Sequence, residues 1–374
     1  MLEGIRVFEL GAFITAPLAG QMLADIGADV VKVESPDGDP FRRGHGGMYG
    51  ATFLAYNRNK RSLVLDLNEA AAQRKLAQLL ARADVLVDNF RPGVLQRMGL
   101  DPAALAARNP RLVHCSITGF GAAGPYRDRP AFDAVGQALS GIAGLFVDPQ
   151  EPHCFGPTIT DNVTGMYACY GILGALAERG RTGRGRRIEV NMLEASMAFI
   201  HDAYTAFTRE GIEGSRFSRV SRSQSFAVRC GDGALLALQL STREKFWIEL
   251  TRALEAEELA ADPRFQNHQA RVTNFHALEA ALGERFGRRP RAEWIVRLER
   301  TDVPFAPIHR LPDALADPQV QALGTALALE HPKEGRVVTI ASPLLVDGAR
   351  PRAANAAPPL LGEHTAEVLA ELDG

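Results

Sequence analysis

At 374 residues the chain exceeds the size at which one hydrophobic core usually stops growing, which predicts two domains. A hydrophobic content of 46%, a charged content of 23% and a net charge of −2 describe an ordinary globular protein and exclude a general field that would recruit nucleic acid or an anionic membrane. No apolar run is long enough to cross a bilayer, the opening residues carry no basic and apolar leader, and the cysteines show no C-x-x-C or metal spacing; a cytoplasmic, metal-free protein with reduced thiols is expected.

Residues 5–10 form a short apolar run, 17–26 have helical spacing and 28–34 read as a strand, which makes one β–α–β unit. The pattern recurs: strand over 62–67, helix over 69–82, strand over 84–88, helix over 100–107, strand over 112–117. Such alternation predicts an α/β fold with a Rossmann-like, doubly wound parallel sheet and a ligand at the strand C-termini. A long apolar helix over 166–177 leads through a basic turn to a strand over 188–192. The character then changes. Residues 195–208 read as a helix and 211–225, rich in Gly, Ser and Arg, as a linker. Residues 226–230 and 233–239 flank Gly231-Asp232-Gly233, a hairpin signal, and amphipathic helices follow over 244–254, 278–286 and 292–299. The expected organisation is a large domain over 1–210 and a smaller α+β domain over 222–310. A C-terminal segment, 320–374, with a strand at 337–340 and a helix at 362–369, is expected to pack back on the large domain. The stretch 351–359 is the one low-complexity tract.

Asp161, between Gly156 and Gly165, stands at the mouth of the long apolar helix. An Asp there accepts backbone N–H bonds and sits well in the helix dipole, so helix capping is its plainest role. The flanking glycines predict a carboxylate left open to a large substrate. Asn57-Arg58-Asn59-Lys60-Arg61 precedes one strand, Asp88-Asn89-Phe90-Arg91 follows another, and Arg97 lies in the helix beyond. Together they offer several cations on one rim of the sheet, which suits a multiply phosphorylated ligand. Gly119-Phe120-Gly121-Ala122-Ala123-Gly124 matches G-x-G-x-x-G behind a strand. Pro125 and Pro130 leave no regular helix to open there, so no dinucleotide site is expected. None of the nine histidines makes a convincing pair; His45, His153, His201 and His364 read as surface or packing residues.

The order of these segments resembles the family III CoA transferases, the CaiB/BaiF family, which includes formyl-CoA transferases and shares its fold with α-methylacyl-CoA racemases. The resemblance covers nearly the whole chain. It runs through Leu23-Ala24-Asp25-Ile26-Gly27-Ala28, the segments at 57–62, 88–93 and 119–125, Phe132-Asp133, and the Asp161 segment with Thr182-Gly183-Arg184-Gly185 downstream. Asp262-Pro263-Arg264-Phe265 and Leu361-Gly362-Glu363-His364-Thr365 continue it. It implies a CoA transferase in which Asp161 attacks an acyl-CoA thioester to give a mixed anhydride and a free thiolate. The thiolate then returns to make an aspartyl-CoA thioester, and an acceptor carboxylate takes the CoA. A dry site with backbone N–H donors from 162–164 would stabilise the oxyanions.

By the same resemblance CoA or acyl-CoA is a substrate, with no tightly bound cofactor. Its contacts would come from Leu65 beside the adenine, from Asn89, Phe90, Arg91, Thr118, Gly119 and Phe120, and from Arg97 at a phosphate. The family fold implies a homodimer of two interlocked chains. Two departures bear on the substrate: Ile14 stands where formyl-CoA transferases carry Gln, and Gln239-Leu240-Ser241-Thr242-Arg243-Glu244 replaces their glycine-rich loop. Formyl and oxalyl transfer are therefore not expected, and polar residues at 216–224 and 241–245 are candidates to meet an acceptor carboxylate, a dicarboxylate such as succinate among them. The alternatives are a racemase or epimerase, in which Phe132 stands where a His base belongs, and a CoA-binding protein without turnover.

Overall fold

The computed structural model describes residues 1–44, 47–351 and 355–373; His45 and part of the 351–359 tract lie outside the described residues. The chain divides into two compact units. One comprises Met1–Ala143, Asp148–Tyr204 and Ala322–Gly374; the other comprises Gly144–Val147 and Thr205–Gln321.

In the first unit β1 (Arg6–Leu10), α1 (Thr15–Asp25), β2 (Asp29–Glu34), α2 (Ala51–Tyr56) and β3 (Lys60–Val64) are followed by α3 (Ala70–Leu80) and β4 (Val85–Asp88). Then come α4 (Val94–Arg97), α5 (Pro102–Arg108), β5 (Val113–Thr118), α6 (Asp133–Leu139), α7 (Ile142–Phe146), α8 (Thr160–Thr182), β6 (Arg187–Asn191) and α9 (Met192–Phe199). The six strands pair in the order β3-β2-β1-β4-β5-β6, all parallel. Successive residues of a strand point to opposite faces, and here both faces are apolar. Val7, Val30, Val85 and Cys115 pack with Ala19 and Leu23 of α1 and with Ala168 and Ile172 of α8. Phe8, Val31, Leu63 and Leu86 pack with Leu76 and Leu80 of α3 and with Val368 near the C-terminus. The order reverses between β1 and β4, so the connections from these strands diverge and open a crevice beyond their C-terminal ends.

The C-terminal helix Thr365–Ala370 covers the outer edge of β3: His364 donates its N–H to the Ser62 carbonyl at 3.0 Å, and the Val64 N–H donates to Thr365 Oγ1 at 3.0 Å. An edge strand that would otherwise expose unpaired backbone is thereby closed.

Two expectations are corrected at this level. The cations at 58–61 do not form a phosphate rim, because they stand at the entry to β3 and are consumed by internal pairs. Arg58 bonds Asp25 at 2.5 Å, fully buried Lys60 reaches Glu9 at 2.7 Å, and Arg61 holds Asp29 and Glu367. Gly165 does not serve to leave Asp161 uncrowded. A Cβ there would lie 2.8 Å from the Thr15 carbonyl oxygen and 3.0 Å from Leu18, so this glycine lets α8 approach α1. At Gly156 a Cβ would meet nothing within 4 Å.

The second unit is built on an antiparallel sheet of β7 (Ser225–Arg229), β8 (Leu235–Gln239) and β9 (Phe305–Pro307). Helices Glu244–Ala253, Phe275–Phe286 and Arg291–Leu298 close its core around Trp247, Leu278, Phe286 and Trp294. The hairpin between β7 and β8 follows the Gly231-Asp232-Gly233 signal, with Gly233 at a φ of 80°. The stretch 211–225, expected as a linker, contains the short helix Ser218–Ser223, which its Ser and Arg content does not announce. Strand β9 also escapes a periodicity reading, since three residues bounded by prolines offer no alternation to detect. A further antiparallel pair, β10 (Ala326–His331) and β11 (Gly335–Ile340), belongs to the first unit.

Candidate active site

Helix α8 begins without a side chain of its own to cap it: Ile159 holds the N-cap position. Asp161, two residues on, is therefore not the cap. Its backbone N–H donates instead to Asp133 Oδ1 at 3.2 Å, and Gln137 Nε2 donates to the other Asp133 oxygen. Asp133 is the first residue of α6, so a carboxylate from a neighbouring helix satisfies one of the open N–H groups of α8. The approach of the two helices is close enough that a Cβ on Gly136 would lie 2.5 Å from Thr160 Cγ2. Thr160 is fully buried; its hydroxyl accepts from Ser196 Oγ at 2.9 Å, and Thr164 Oγ1 donates to its carbonyl at 2.7 Å. The turn that carries Asp161 is thus fixed from α6, α8 and α9. Tyr56 adds a hydrogen bond from its hydroxyl to Asn162 Oδ1 at 3.1 Å.

Among the described residues no donor is bonded to the Asp161 carboxylate. Burial pushes its pKa up from 3.8, and the charge of Asp133 pushes in the same direction, to about 7. The helix N-terminus favours the anion, but burial beside a second carboxylate outweighs it. The result is a carboxyl group that changes charge near neutrality and whose oxygens are free to react.

Asp161 opens into a cavity of about 320 Å³ at the C-terminal ends of β1, β4 and β5, the place where an open α/β sheet receives its ligand. The β1–α1 loop forms one wall. Asn89 holds it in three bonds: it accepts the Ala12 N–H at 3.1 Å and donates through Nδ2 to the Ala12 carbonyl at 2.7 Å and to Thr15 Oγ1 at 3.0 Å. Buried Lys32 adds a bond to the Gly11 carbonyl at 2.7 Å. Between these anchors Phe13 adopts a φ of 65°, a region L-residues seldom occupy. Its ring meets Phe41 and Phe132 edge to face, at 5.2 and 5.5 Å between centroids. The loop after β5 forms another wall, and a Cβ on Gly119 would sit 2.4 Å from that of Ala131.

Of the residues singled out in the sequence, Asn89, Phe90, Arg91, Thr118, Gly119 and Asp161 line this one cavity. Leu65, Arg97 and Phe120 do not. Leu65 is 6% exposed and packs in the core on the α3 face of the sheet. Arg97 is exposed at the end of α4, and Phe120 lies against Tyr126. The glycine loop at 119–124 opens no helix; the next one begins at Asp133. His201 is exposed, His153 is exposed, and His364 accepts from the Ser62 N–H. Sequence reasoning missed the aromatic trio, whose members lie far apart in the chain. It also missed the buried Asp88–His114 pair, at 2.8 Å, which only the register of β4 on β5 brings together. In the second unit Arg219, Arg222, Ser223, Ser241, Thr242 and His268 line a separate cavity of about 590 Å³.

The arrangement can do nucleophilic chemistry with one carboxylate in a partly desolvated pocket. It is poorly made for two-base proton exchange: Phe132 has no proton to give, and both Asp133 oxygens accept bonds within the protein.

Comparison with known proteins shows similarity along the whole chain. The model of CoA-transferase family III matches residues 2–365. The succinate–glutarate CoA-transferase of Agrobacterium fabrum is 33% identical over 385 residues, covering 100% of this chain and 96% of that protein. The succinyl-CoA–L-malate CoA-transferase beta subunit of Chloroflexus aurantiacus is 34% identical over 389 residues, covering 100% and 94%. Among solved structures, a CaiB/BaiF family protein from Brucella suis superposes with a TM-score of 0.87 at 34% identity over 99% of each chain.

Proposed function

Because the chain belongs to CoA-transferase family III, we propose that it moves CoA between an acyl-CoA and a free carboxylic acid by covalent chemistry on Asp161. That it is a CoA transferase follows from its relatives; the route through Asp161 is our reading of the site. In the first step an Asp161 oxygen attacks the thioester carbonyl, the C–S bond breaks, and the CoA thiolate leaves an aspartyl–acyl anhydride. The thiolate then attacks the aspartyl carbonyl, releasing the donor acid as its carboxylate and leaving an aspartyl-CoA thioester. The acceptor carboxylate attacks that thioester, and the same two steps in reverse deliver the new acyl-CoA and restore Asp161. The Asp161 carbonyl is activated in both intermediates, as anhydride and then as thioester, so exclusion of water is what preserves the thioester energy. At the start of α8 the Asp161 N–H is held by Asp133 and the Val163 N–H by the Ile159 carbonyl, which leaves the Asn162 N–H, of the donors expected at 162–164, as the candidate to stabilise the oxyanions.

The observation that carries the reading is a partly buried carboxyl without a bonded donor, opening into the cavity at the sheet's switch point. Asp161→Ala is expected to abolish CoA transfer while binding CoA as the wild type does. Incubation of the wild type with acyl-CoA and hydroxylamine or borohydride should mark Asp161 by peptide mass spectrometry. Transfer retained in the variant would refute the assignment.

In this reading CoA runs along the strand ends over Asn89, Phe90, Arg91, Thr118 and Gly119, with its nucleotide end beyond the cavity toward the exposed Arg97. The large domain is thereby the CoA-binding domain. The names of the relatives point to short dicarboxylic acids as donor and acceptor. A homodimer is supported by Val135, Leu139, Met166, Tyr170 and Phe199, apolar side chains exposed on α6, α8 and α9.

A further inference from the structure

Three arginines line the cavity that contains Asp161: Arg91 from the loop after β4, and Arg127 and Arg129 from the loop after β5. The last two were no part of the sequence reading. Arg129 lies over the ring of Tyr126, with its central carbon 3.8 Å from the ring centroid. Stacking of this kind holds the guanidinium plane and leaves its N–H edge available to an acceptor. Among the described residues the Arg127 guanidinium has one weak partner, Asp128 at 3.4 Å, and both side chains are well exposed, so little would be lost in exchanging it for a substrate carboxylate.

A guanidinium beside Asp161 would hold its carboxyl down; burial and then Asp133 push it up, and no arginine contributes. Among the described residues no guanidinium is bonded to the Asp161 carboxylate, so the arginines line the same cavity without engaging the reacting carboxyl. The space, about 320 Å³, fits a small acyl group and the end of a pantetheine arm rather than a whole coenzyme. Arg91 and Arg127 also line a neighbouring cavity of about 190 Å³ that includes Arg187 and not Asp161, so the coenzyme's phosphates, at the far end of that arm from the thioester, have cations outside the space where the acyl group sits. What a short acyl group can offer at that remove is a second carboxylate.

We propose that Arg127 and Arg129 form the subsite for the remote carboxylate of a dicarboxylic acyl group, and that they make the enzyme discriminate diacids from monoacids. The proposal rests on the CoA-transfer reading above and adds to it the residues that read the substrate. The apolar edge of the cavity, at Phe13 and Phe132, would face the methylene chain between the two carboxyl groups.

Succinyl-CoA and butyryl-CoA provide the test, since they have acyl chains of equal length and differ in whether a carboxylate or a methyl group ends them. The full-length wild type, Arg127→Gln, Arg129→Gln and the double variant would be assayed with each donor against one fixed acceptor, acetate. The expected result is a fall of at least roughly tenfold in the succinyl-to-butyryl ratio of kcat/KM in the double variant, with butyryl transfer and thermal midpoint near those of the wild type. Arg129→Lys is expected to recover part of the ratio, since the charge remains without the planar fork. An unchanged ratio, or an equal loss for both donors, overturns the proposal while leaving CoA transfer intact. Absence of transfer from any acyl-CoA by the wild type would instead overturn the reading beneath it.

Discussion

Asp161 is one of many acidic side chains near a helix start, and what sets it apart is the company it keeps. Asp133 both fixes its backbone and pushes its ionisation toward neutrality, acting with burial. If the attacking form is the anion, kcat/KM should rise with pH and level off above about 7. Asp133→Asn keeps an oxygen to accept the Asp161 N–H and removes the neighbouring charge. The sign follows: less repulsion lowers the carboxyl's pKa, so the ascending limb of the pH–rate profile should move to lower pH. A profile that stays in place would show that Asp133 acts on geometry alone. Against two-base proton exchange stand Phe132, which carries no proton, and the bonds that both Asp133 oxygens accept within the protein.

Helix α8 joins the site to the core. Its first turn presents Asp161, its middle buries Ala168, Cys169 and Ile172 against the sheet, and its C-terminus stops at Gly183 with a φ of 69°. Gly165 lies between these tasks. Because a Cβ at this position would press on the Thr15 backbone oxygen, Gly165→Ala is expected to separate α8 from α1 and cost about 1–3 kcal/mol. Urea unfolding would measure the cost, and a midpoint equal to that of the wild type would show that the contact relaxes freely. Since Thr15 also bonds Asn89 in the loop that forms the cavity wall, a loss of activity beyond the loss of folded protein is expected.

At the scale of the whole molecule, an apolar surface on α6, α8 and α9 includes Tyr170, 75% exposed. A monomer that left these side chains in water would be prone to associate. The dimer proposal therefore predicts that the wild type elutes as two chains in size-exclusion chromatography with light scattering, and that Tyr170→Glu shifts it toward one. A monomeric wild type would contradict the proposal.

The alternation of strand and helix was readable from residue 5 to residue 117, because buried parallel strands are continuous apolar runs and amphipathic helices repeat every three to four residues. The order of motifs was enough to recognise the family, and that resemblance, more than an acidic side chain at a helix start, made Asp161 the expected nucleophile. Such local signals survive in one dimension. What the sequence could not carry was the pairing of distant residues. The same kind of side chain, Arg58 or Arg127, is either spent in an internal ion pair or left facing a cavity according to what the fold sets beside it. Charge, burial and a hydrogen bond to Asp133 meet at Asp161 only once α6 packs on α8, and Phe13, Phe41 and Phe132 meet only where the segments after β1, β2 and β5 converge. Those contacts depend on separations of a few ångströms between segments tens of residues apart, and folding alone determines them.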